Sequence, residues 1–307
     1  MVYSKLLKGL EVLLVKSMLG IIRLIHLKDH IYFVVITSIL GISSSNGEVG
    51  WRFLILLLAN LLAVSFAFMV DDIEDAPDDA LSALGSNHNP ISTGLISPKT
   101  ARFTAFFVAA LSIAFYALLG IWPLILGLLI LILGFLSSLR GVRLKSLVAY
   151  DIFACSLMLA GLPFLSAHFT YAPKLTQEGF WPFIFVMSIS LSVTLYNKLS
   201  QPTVERSTPQ DRHAPSLNDR SSRMLLTLML LIAVFSGVMT IFVIELIPLW
   251  VYGIMAILTF LFIIPAWLSI RKGRKILRLR NLLLKPLLRA AAIALILQYL
   301  VPWLGQI

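Results

Sequence analysis

Nine apolar stretches constrain this chain more than any other feature of its sequence. They cover residues 30–47, 51–70, 102–120, 121–138, 147–167, 181–197, 224–244, 248–270 and 285–304. A helix needs about 20 apolar residues to cross a bilayer, and it satisfies its own backbone hydrogen bonds where water is absent. The stretches are too long and too unalternating for barrel strands. We therefore predict an all-α polytopic membrane protein, a bundle of nine transmembrane helices forming one domain over residues 1–307.

The composition excludes the main soluble classes. Hydrophobic residues make up 59% of the 307 residues and charged residues only 13%, with a mean hydropathy of +0.92. A soluble domain carries about 25% charged residues, and the surface of one globule this size demands polar cover. A soluble enzyme, a collagen-like chain and a disordered chain are therefore excluded. Cys155 is the single cysteine, which excludes a disulfide framework.

The positive charge predicts an orientation. The formal net charge is +10, which in a soluble protein would suggest nucleic acid. With the N-terminus in the cytoplasm, every Lys and Arg except Arg52 and Lys174 falls in the cytoplasmic set. This distribution obeys the positive-inside rule. We expect a multi-pass protein of the cell membrane with a cytoplasmic N-terminus. Its partners would be membrane lipids with anionic headgroups rather than nucleic acid.

Residues 1–28 have the pattern of an amphipathic helix. Four basic residues, Lys5, Lys8, Lys16 and Arg23, fall within about 80° of one another on a helical wheel. Leucine and isoleucine residues occupy other directions. A helix of this kind lies in the membrane interface instead of spanning it. We predict an N-terminal interfacial amphipathic helix on the inner leaflet.

An acidic segment follows the second apolar stretch. Residues 71–79 read DDIEDAPDD, and helical spacing would place Asp72, Asp75 and Asp79 within about 60° on one face. Three carboxylates so close repel one another unless a cation joins them. Carboxylate oxygens suit Mg²⁺, which commonly bridges to substrate phosphates. Because Pro77 removes a helical hydrogen bond, we expect a bent or opened last turn to present Asp79.

This segment and two later motifs resemble the UbiA superfamily of intramembrane prenyltransferases. The acidic segment is similar to the superfamily signature (N/D)DxxDxxxD. All four acidic positions of that signature are present, as Asp71, Asp72, Asp75 and Asp79. Residues 89–97, NPISTGLIS, resemble the downstream segment written NRPIPSGRIS. The family has nine helices, so the resemblance covers nearly the whole chain.

The third motif, SSLRGVRLKS over residues 137–146, is similar to the family's YSxPPxRxK. Arg143 and Lys145 take its two basic positions, while Ser137 stands where tyrosine is usual and Arg140–Gly141 replaces Pro-Pro. The second acidic motif of the family, DxxDxxxD, departs further. The aspartate positions of this motif fall in the segment YNKLSQPTVERST, where only one of them keeps a carboxylate. The residues at these positions are Lys198, Gln201 and Glu205, with Asn197 just before them.

The resemblance implies a reaction and a set of residue roles. The family removes diphosphate from a polyprenyl diphosphate with Mg²⁺ and joins the prenyl group to a lipophilic or aromatic acceptor. Asp72, Asp75 and Asp79 would be catalytic metal ligands, and Asp71 and Glu205 would complete the metal set. The basic residues that would take the diphosphate are Arg143, Lys145, Lys198 and Arg206. The prenyl tail would lie in an apolar groove between the helices.

Several alternatives remain open at this stage. A terpene cyclase of the same superfamily would ionise the substrate without an acceptor, and the degenerate second motif also fits a catalytically silent lipid-binding homologue. Tyr150 and Tyr196 would face the allylic cation or serve as interfacial anchors. His30 and His88 are weak candidates for a base.

Overall fold

The computed structural model describes residues 16–48, 50–81, 89–139, 148–200 and 220–243. Every regular element in these ranges is a helix, so the all-α prediction is confirmed there. The helices are α1 (16–24), α2 (Leu27–Ser43), α3 (Trp51–Asp79), α4 (Pro98–Leu119), α5 (Ile121–Ser138), α6 (Val148–Ser156), α7 (Leu162–Tyr171), α8 (Gln177–Ser200) and α9 (Arg220–Val243). A π-helical turn, Leu157–Gly161, joins α6 to α7.

Six helical stretches among the described residues are long and apolar enough to cross a membrane. They are α3, α4, α5, the continuous unit Ala149–Tyr171, α8 up to Asn197, and α9. Helix α2 has 17 residues and is shorter than the predicted stretch 30–47. At 1.5 Å per residue its length is about 25 Å. The predicted spans 248–270 and 285–304, and residues 1–15 of the amphipathic segment, lie outside the described residues.

Helix α2 ends early because a run of serines follows its apolar part. Ser44 Oγ donates to the carbonyl of Gly41 at 2.8 Å, and Ser45 Oγ donates to that of Ile42 at 2.8 Å. These hydroxyls satisfy carbonyls of the last turn that have no helical partner. Asn46 then adopts a positive φ of 52°, and the chain turns towards α3.

The outer faces of α4 and α5 are apolar. Phe103, Phe106 and Phe107 of α4 are 74%, 68% and 60% exposed, and Ile121 of α5 is 64% exposed. Soluble proteins rarely expose a continuous apolar surface of this kind. We assign these faces to lipid contact, which agrees with the length and composition of both helices.

Polar side chains inside the bundle bond to one another. The Asn60 Oδ1 atom accepts from Tyr116 Oη and from Ser166 Oγ at 2.8 Å, while its Nδ2 donates to Ser38 Oγ at 2.9 Å and to the Pro163 carbonyl at 3.3 Å. These residues belong to α2, α3, α4 and α7. Such hydrogen bonds hold helices together in a membrane, where the hydrophobic effect does not.

The helices run alternately up and down, which gives the described bundle two ends. Gly120, with φ 127°, makes the tight turn from α4 to α5. At that end Arg52 Nη2 donates to the Leu119 carbonyl at 3.2 Å, and its guanidinium lies over the Tyr171 ring. The opposite end holds the start of α2, the end of α3, the start of α4 and the end of α5. We call it the site end, because the acidic segment lies there.

Candidate active site

The acidic segment is helical throughout and forms the last turns of α3. The predicted apolar stretch ends at residue 70, but α3 continues to Asp79 with Pro77 inside it. The expected opening of the last turn at Pro77 is not observed. A proline this close to the end of a helix removes only one terminal hydrogen bond. Asp72, Asp75 and Asp79 therefore keep helical register on one face.

This face of α3 turns towards the protein. Asp72, Asp75 and Asp79 are partly buried, whereas Pro77 and Asp78 are exposed. Partial burial leaves the carboxylates reachable from water while shielding them on one side. Asp71 and Glu74 are partly buried as well, so the acidic segment is not a fully solvated surface.

The segment 89–97 folds back onto the end of α3. Asn89, which is only 2% exposed, donates through Nδ2 to the Asp79 carboxylate at 2.9 Å and to the Asp72 carbonyl at 2.8 Å. Ser92 Oγ donates to the Ala76 carbonyl at 2.7 Å. The structure thus brings two motifs together that lie apart in the sequence, and Asn89 positions one of the predicted carboxylates.

The third motif begins beside Asp71. Ser138 Oγ, at the end of α5, donates to Asp71 Oδ1 at 3.2 Å. Asp71 is therefore hydrogen-bonded to α5, whereas Asp79 is hydrogen-bonded to the segment 89–97. Arg143 and Lys145, the two predicted diphosphate ligands of this motif, lie outside the described residues.

The degenerate second motif is described only at its start. Helix α8 runs to Ser200 and carries a partly buried Asn197. The Lys198 side chain and residues Gln201, Glu205 and Arg206 lie outside what the structure describes. Their predicted roles in binding metal and diphosphate stay predictions.

The two tyrosines differ in their surroundings. Tyr196 packs with Leu195 and Leu226 between α8 and α9, and Tyr150 is 45% exposed on α6. The described contacts bring neither ring to the α3 carboxylates. The exposure of Tyr150 agrees with its interpretation as an interfacial anchor.

His26 belongs to none of the sequence motifs, yet it contacts the site directly. Its Nε2 lies 2.8 Å from Asp72 Oδ2, and its Nδ1 lies 3.3 Å from Asp29 Oδ2. Both ring nitrogens are therefore placed to donate to carboxylates. The hydrogen bond to Asp72 is the main cause that raises the pKa of His26 above its usual value, against the opposing effect of partial burial.

Of the two histidines predicted as weak candidates for a base, only His30 is among the described residues. His30 is 2% exposed, and its Nε2 is 3.1 Å from Ser65 Oγ. Its ring stacks on Phe68 with a centroid distance of 5.3 Å. His88 lies outside the described residues. No sequence pattern links His26 to Asp72, because the two are 46 positions apart.

The donor set fits Mg²⁺ in its chemistry. Within the described part of the chain, no three His, Cys, Asp or Glu side chains already converge as a closed metal cage. Mg²⁺ does not require one, because it keeps several water molecules and is commonly held by one or two carboxylates plus substrate phosphates. Asp72 and Asp79 supply such oxygens. Asn89 Nδ2 donates to the backbone carbonyl of Asp72 and to the carboxylate of Asp79.

Fold and site together define a class: a helical, multi-pass membrane protein with a set of partly buried carboxylates at one end of its described bundle. The model of the UbiA prenyltransferase family matches residues 32–283. The chain therefore belongs to the UbiA prenyltransferase family, and it is an enzyme of the transferase class. A search of curated proteins finds no significant match.

Solved structures share the fold. A digeranylgeranylglyceryl phosphate synthase superimposes with a TM-score of 0.67 at 18% identity, covering 92% of this chain and 98% of that one. A UbiA homologue from Archaeoglobus fulgidus bound to GPP and Mg²⁺ gives 0.63 at 16% identity, with 91% and 98% covered. The apo UbiA homologue from Aeropyrum pernix K1 gives 0.67 at 16% identity, with 90% and 98% covered.

Proposed function

We propose that the protein transfers the prenyl group of a polyprenyl diphosphate to a lipophilic or aromatic acceptor within the membrane, with Mg²⁺ as cofactor. One observation carries this proposal. The partly buried Asp72 and Asp79 share one face of α3, and Asn89 ties that face to a second family motif. These carboxylates lie at the end of an apolar helix, so a charged head and a hydrocarbon tail would each meet matching surroundings.

The residues suit the charge changes of the reaction. The allylic carbon–oxygen bond breaks, its electron pair leaves with the diphosphate, and the carbon bonds to an acceptor nucleophile that loses a proton. Bound Mg²⁺ would neutralise the negative charge that grows on the leaving diphosphate. Asp72, Asp75 and Asp79 would hold the metal, with Asp71 and Glu205 completing the set. Guanidinium and ammonium groups would hold the phosphate oxygens; they belong to Arg143, Lys145, Lys198 and Arg206.

Two solved structures support the choice of substrate. The Archaeoglobus fulgidus homologue is bound to GPP and Mg²⁺ in one structure and to DMAPP and Mg²⁺ in another. Both ligands are prenyl diphosphates. Since this chain shares the fold and its residues 71–79 resemble the family's first acidic motif, we extend the prenyl diphosphate and the metal to it as part of the proposal.

We further propose that the site end faces the cytoplasm. The described helix termini at that end carry Lys16, Arg23, Lys28, Lys99, Arg102, Arg220 and Arg223. Arg52 and Lys174 lie at the other end, beside Tyr171 and His168 respectively. Seven Lys and Arg residues at one end against two at the other support this orientation by the positive-inside rule, which counts Lys and Arg rather than net charge.

Diphosphate release by the purified protein tests the function. The protein is incubated with geranylgeranyl diphosphate and Mg²⁺, with or without an added quinone, phenol or lipid acceptor, and EDTA serves as the control. Release that requires an acceptor supports transfer. Release without any acceptor would instead identify a terpene cyclase. No release over a range of chain lengths and metals would identify a silent lipid-binding homologue.

A further inference from the structure

His26 lies where the chain bends from α1 into α2, in an unusual backbone conformation. Its φ of 51° and ψ of 25° place it in the left-handed region. Non-glycine residues rarely adopt this region, and when they do the surrounding structure must hold them there. The conformation directs the chain so that the imidazole reaches the end of α3.

Three contacts hold the imidazole in place. Its ring stacks on Phe68 with a centroid distance of 5.6 Å and an interplanar angle of 27°. Nδ1 faces Asp29 at 3.3 Å, and Nε2 faces Asp72 at 2.8 Å. Phe68 precedes Asp72 by one helical turn. The imidazole of His26 therefore stacks on one turn of α3 and is hydrogen-bonded to the next.

Helix α1 supports the same arrangement from the outside. Leu24 is fully buried, and a Cβ added at Gly20 would lie 2.9 Å from the Cβ of Ile96. The helix therefore packs closely on the segment 89–97, which also supplies Asn89. His26 bonds to the Asp72 side chain while Asn89 bonds to the Asp72 carbonyl. The two sides of Asp72 are thus restrained by elements that touch each other.

We propose that His26 is a positioning residue, which orients the Asp72 carboxylate for Mg²⁺ with Asp29 behind it. This inference rests on the function proposed above. A carboxylate offers two oxygens with about four acceptor positions. His26 occupies one position on Oδ2 and leaves Oδ1 for the metal. Outer partners of this kind orient metal ligands, and their loss typically costs about 10- to 100-fold in metal affinity or activity.

A purely structural role for His26 predicts a different pattern. If the ring only fastened α1 to α3, stacking on Phe68 would be the important contact. His26→Phe keeps an aromatic ring and removes the donor, whereas His26→Gln keeps a donor and removes the ring. Lys28→Gln is a matched control, because Lys28 is an exposed neighbour on the same segment. The two His26 variants therefore separate positioning from packing.

The test measures Mn²⁺ binding to the full-length protein by electron paramagnetic resonance. Geranylgeranyl thiolodiphosphate, an analogue that resists ionisation, is present at saturation. We expect His26→Phe to weaken Mn²⁺ binding by about 10- to 100-fold, with the melting temperature unchanged. His26→Gln should restore most of the affinity, and Lys28→Gln should match the wild type. In turnover, His26→Phe should raise the half-saturating Mg²⁺ concentration more than it lowers kcat at saturating Mg²⁺.

Equal Mn²⁺ affinity in His26→Phe and the wild type would overturn the inference while leaving the proposed function intact. A wild-type protein that binds no Mn²⁺ in the presence of the analogue would instead contradict the proposed function itself. If His26→Phe fails to fold, Asp29→Asn takes its place, because it removes the charge behind the ring. Wild-type affinity in that variant would overturn the inference as well.

Discussion

At the scale of single residues, three carboxylates of the candidate site have different neighbours. Asp71 accepts from Ser138, Asp72 from His26, and Asp79 from Asn89. Like charges on one helical face repel each other unless donors or a cation compensate. The neutral donors of Ser138 and Asn89 reduce this repulsion. The carboxylates are therefore held in place at the end of α3.

Asp75 tests the metal assignment most specifically among the carboxylates. We expect Asp75→Asn to abolish Mg²⁺-dependent diphosphate release, because an amide is a much weaker metal ligand than a carboxylate. Folding and membrane insertion should be unaffected. Asp78→Asn is the matched control, since Asp78 is exposed and outside the motif pattern. Wild-type turnover in Asp75→Asn would remove the metal assignment.

Asn89 tests whether the segment 89–97 organises the site. Asn89→Ala removes three hydrogen bonds: those to Asp79 and to the Asp72 carbonyl, and the one that Asn89 Oδ1 accepts from the buried Ile91 N–H. A typical hydrogen bond contributes about 0.5–1.5 kcal/mol to stability, and leaving a buried donor unpaired costs about 1–3 kcal/mol. We expect a lower melting temperature and a higher half-saturating Mg²⁺ concentration, both measured on detergent-purified protein. An unchanged Mg²⁺ requirement would show that the segment only covers α3.

At the scale of elements, the α4–α5 hairpin depends on a close approach. Gly127 of α5 packs directly on the ring of Tyr116 of α4, and a Cβ there would overlap the ring. Tyr116 is also fully buried and bonds to Asn60. The ring has no room to move, because its hydroxyl belongs to the polar network of the bundle.

Substituting this glycine tests the packing. Gly127→Ala should destabilise the protein by about 1–3 kcal/mol, the usual cost of overpacking a tight interior. Gly50→Ala is the control, because nothing lies within 4 Å of a Cβ built there and its φ is −151°. Thermal unfolding in detergent measures both variants. Equal melting temperatures for the two would contradict the close contact between α4 and α5.

At the scale of the whole molecule, the orientation is open to a labelling experiment. Glu48 and Leu81 are both exposed at opposite ends of the described bundle. In a variant with Cys155 replaced by alanine, we expect Glu48→Cys to react with an impermeant maleimide in intact cells. Leu81→Cys should react only after the membrane is permeabilised. The reverse pattern would place the site end outside the cytoplasm.

The sequence predicted the helical class and most span positions, because apolar length is a direct consequence of bilayer thickness. It predicted α5 to the residue, Ile121–Ser138. It ended the apolar stretch of α3 at residue 70 and expected the last turn to bend or open at Pro77, whereas the structure continues as one helix to Asp79. The nine-span count and the single domain over 1–307 stay predictions.

The candidate site was predicted only as far as its residues share a local pattern. The carboxylates of α3 follow helical spacing, so their common face is visible in the sequence. The contact of His26 with Asp72 spans 46 positions and depends on a left-handed turn. The Asn89 bonds depend on how the segment 89–97 folds back. Neither has a periodic signature, because both arise from tertiary packing.

Mg²⁺-dependent substrate binding tests the central claim most directly. Calorimetric titration of the purified protein with geranylgeranyl thiolodiphosphate measures binding without turnover. We expect binding in the presence of Mg²⁺, and its loss both with EDTA and in Asp75→Asn. Binding of equal strength with Mg²⁺, with EDTA and in that variant would contradict a metal site at the end of α3.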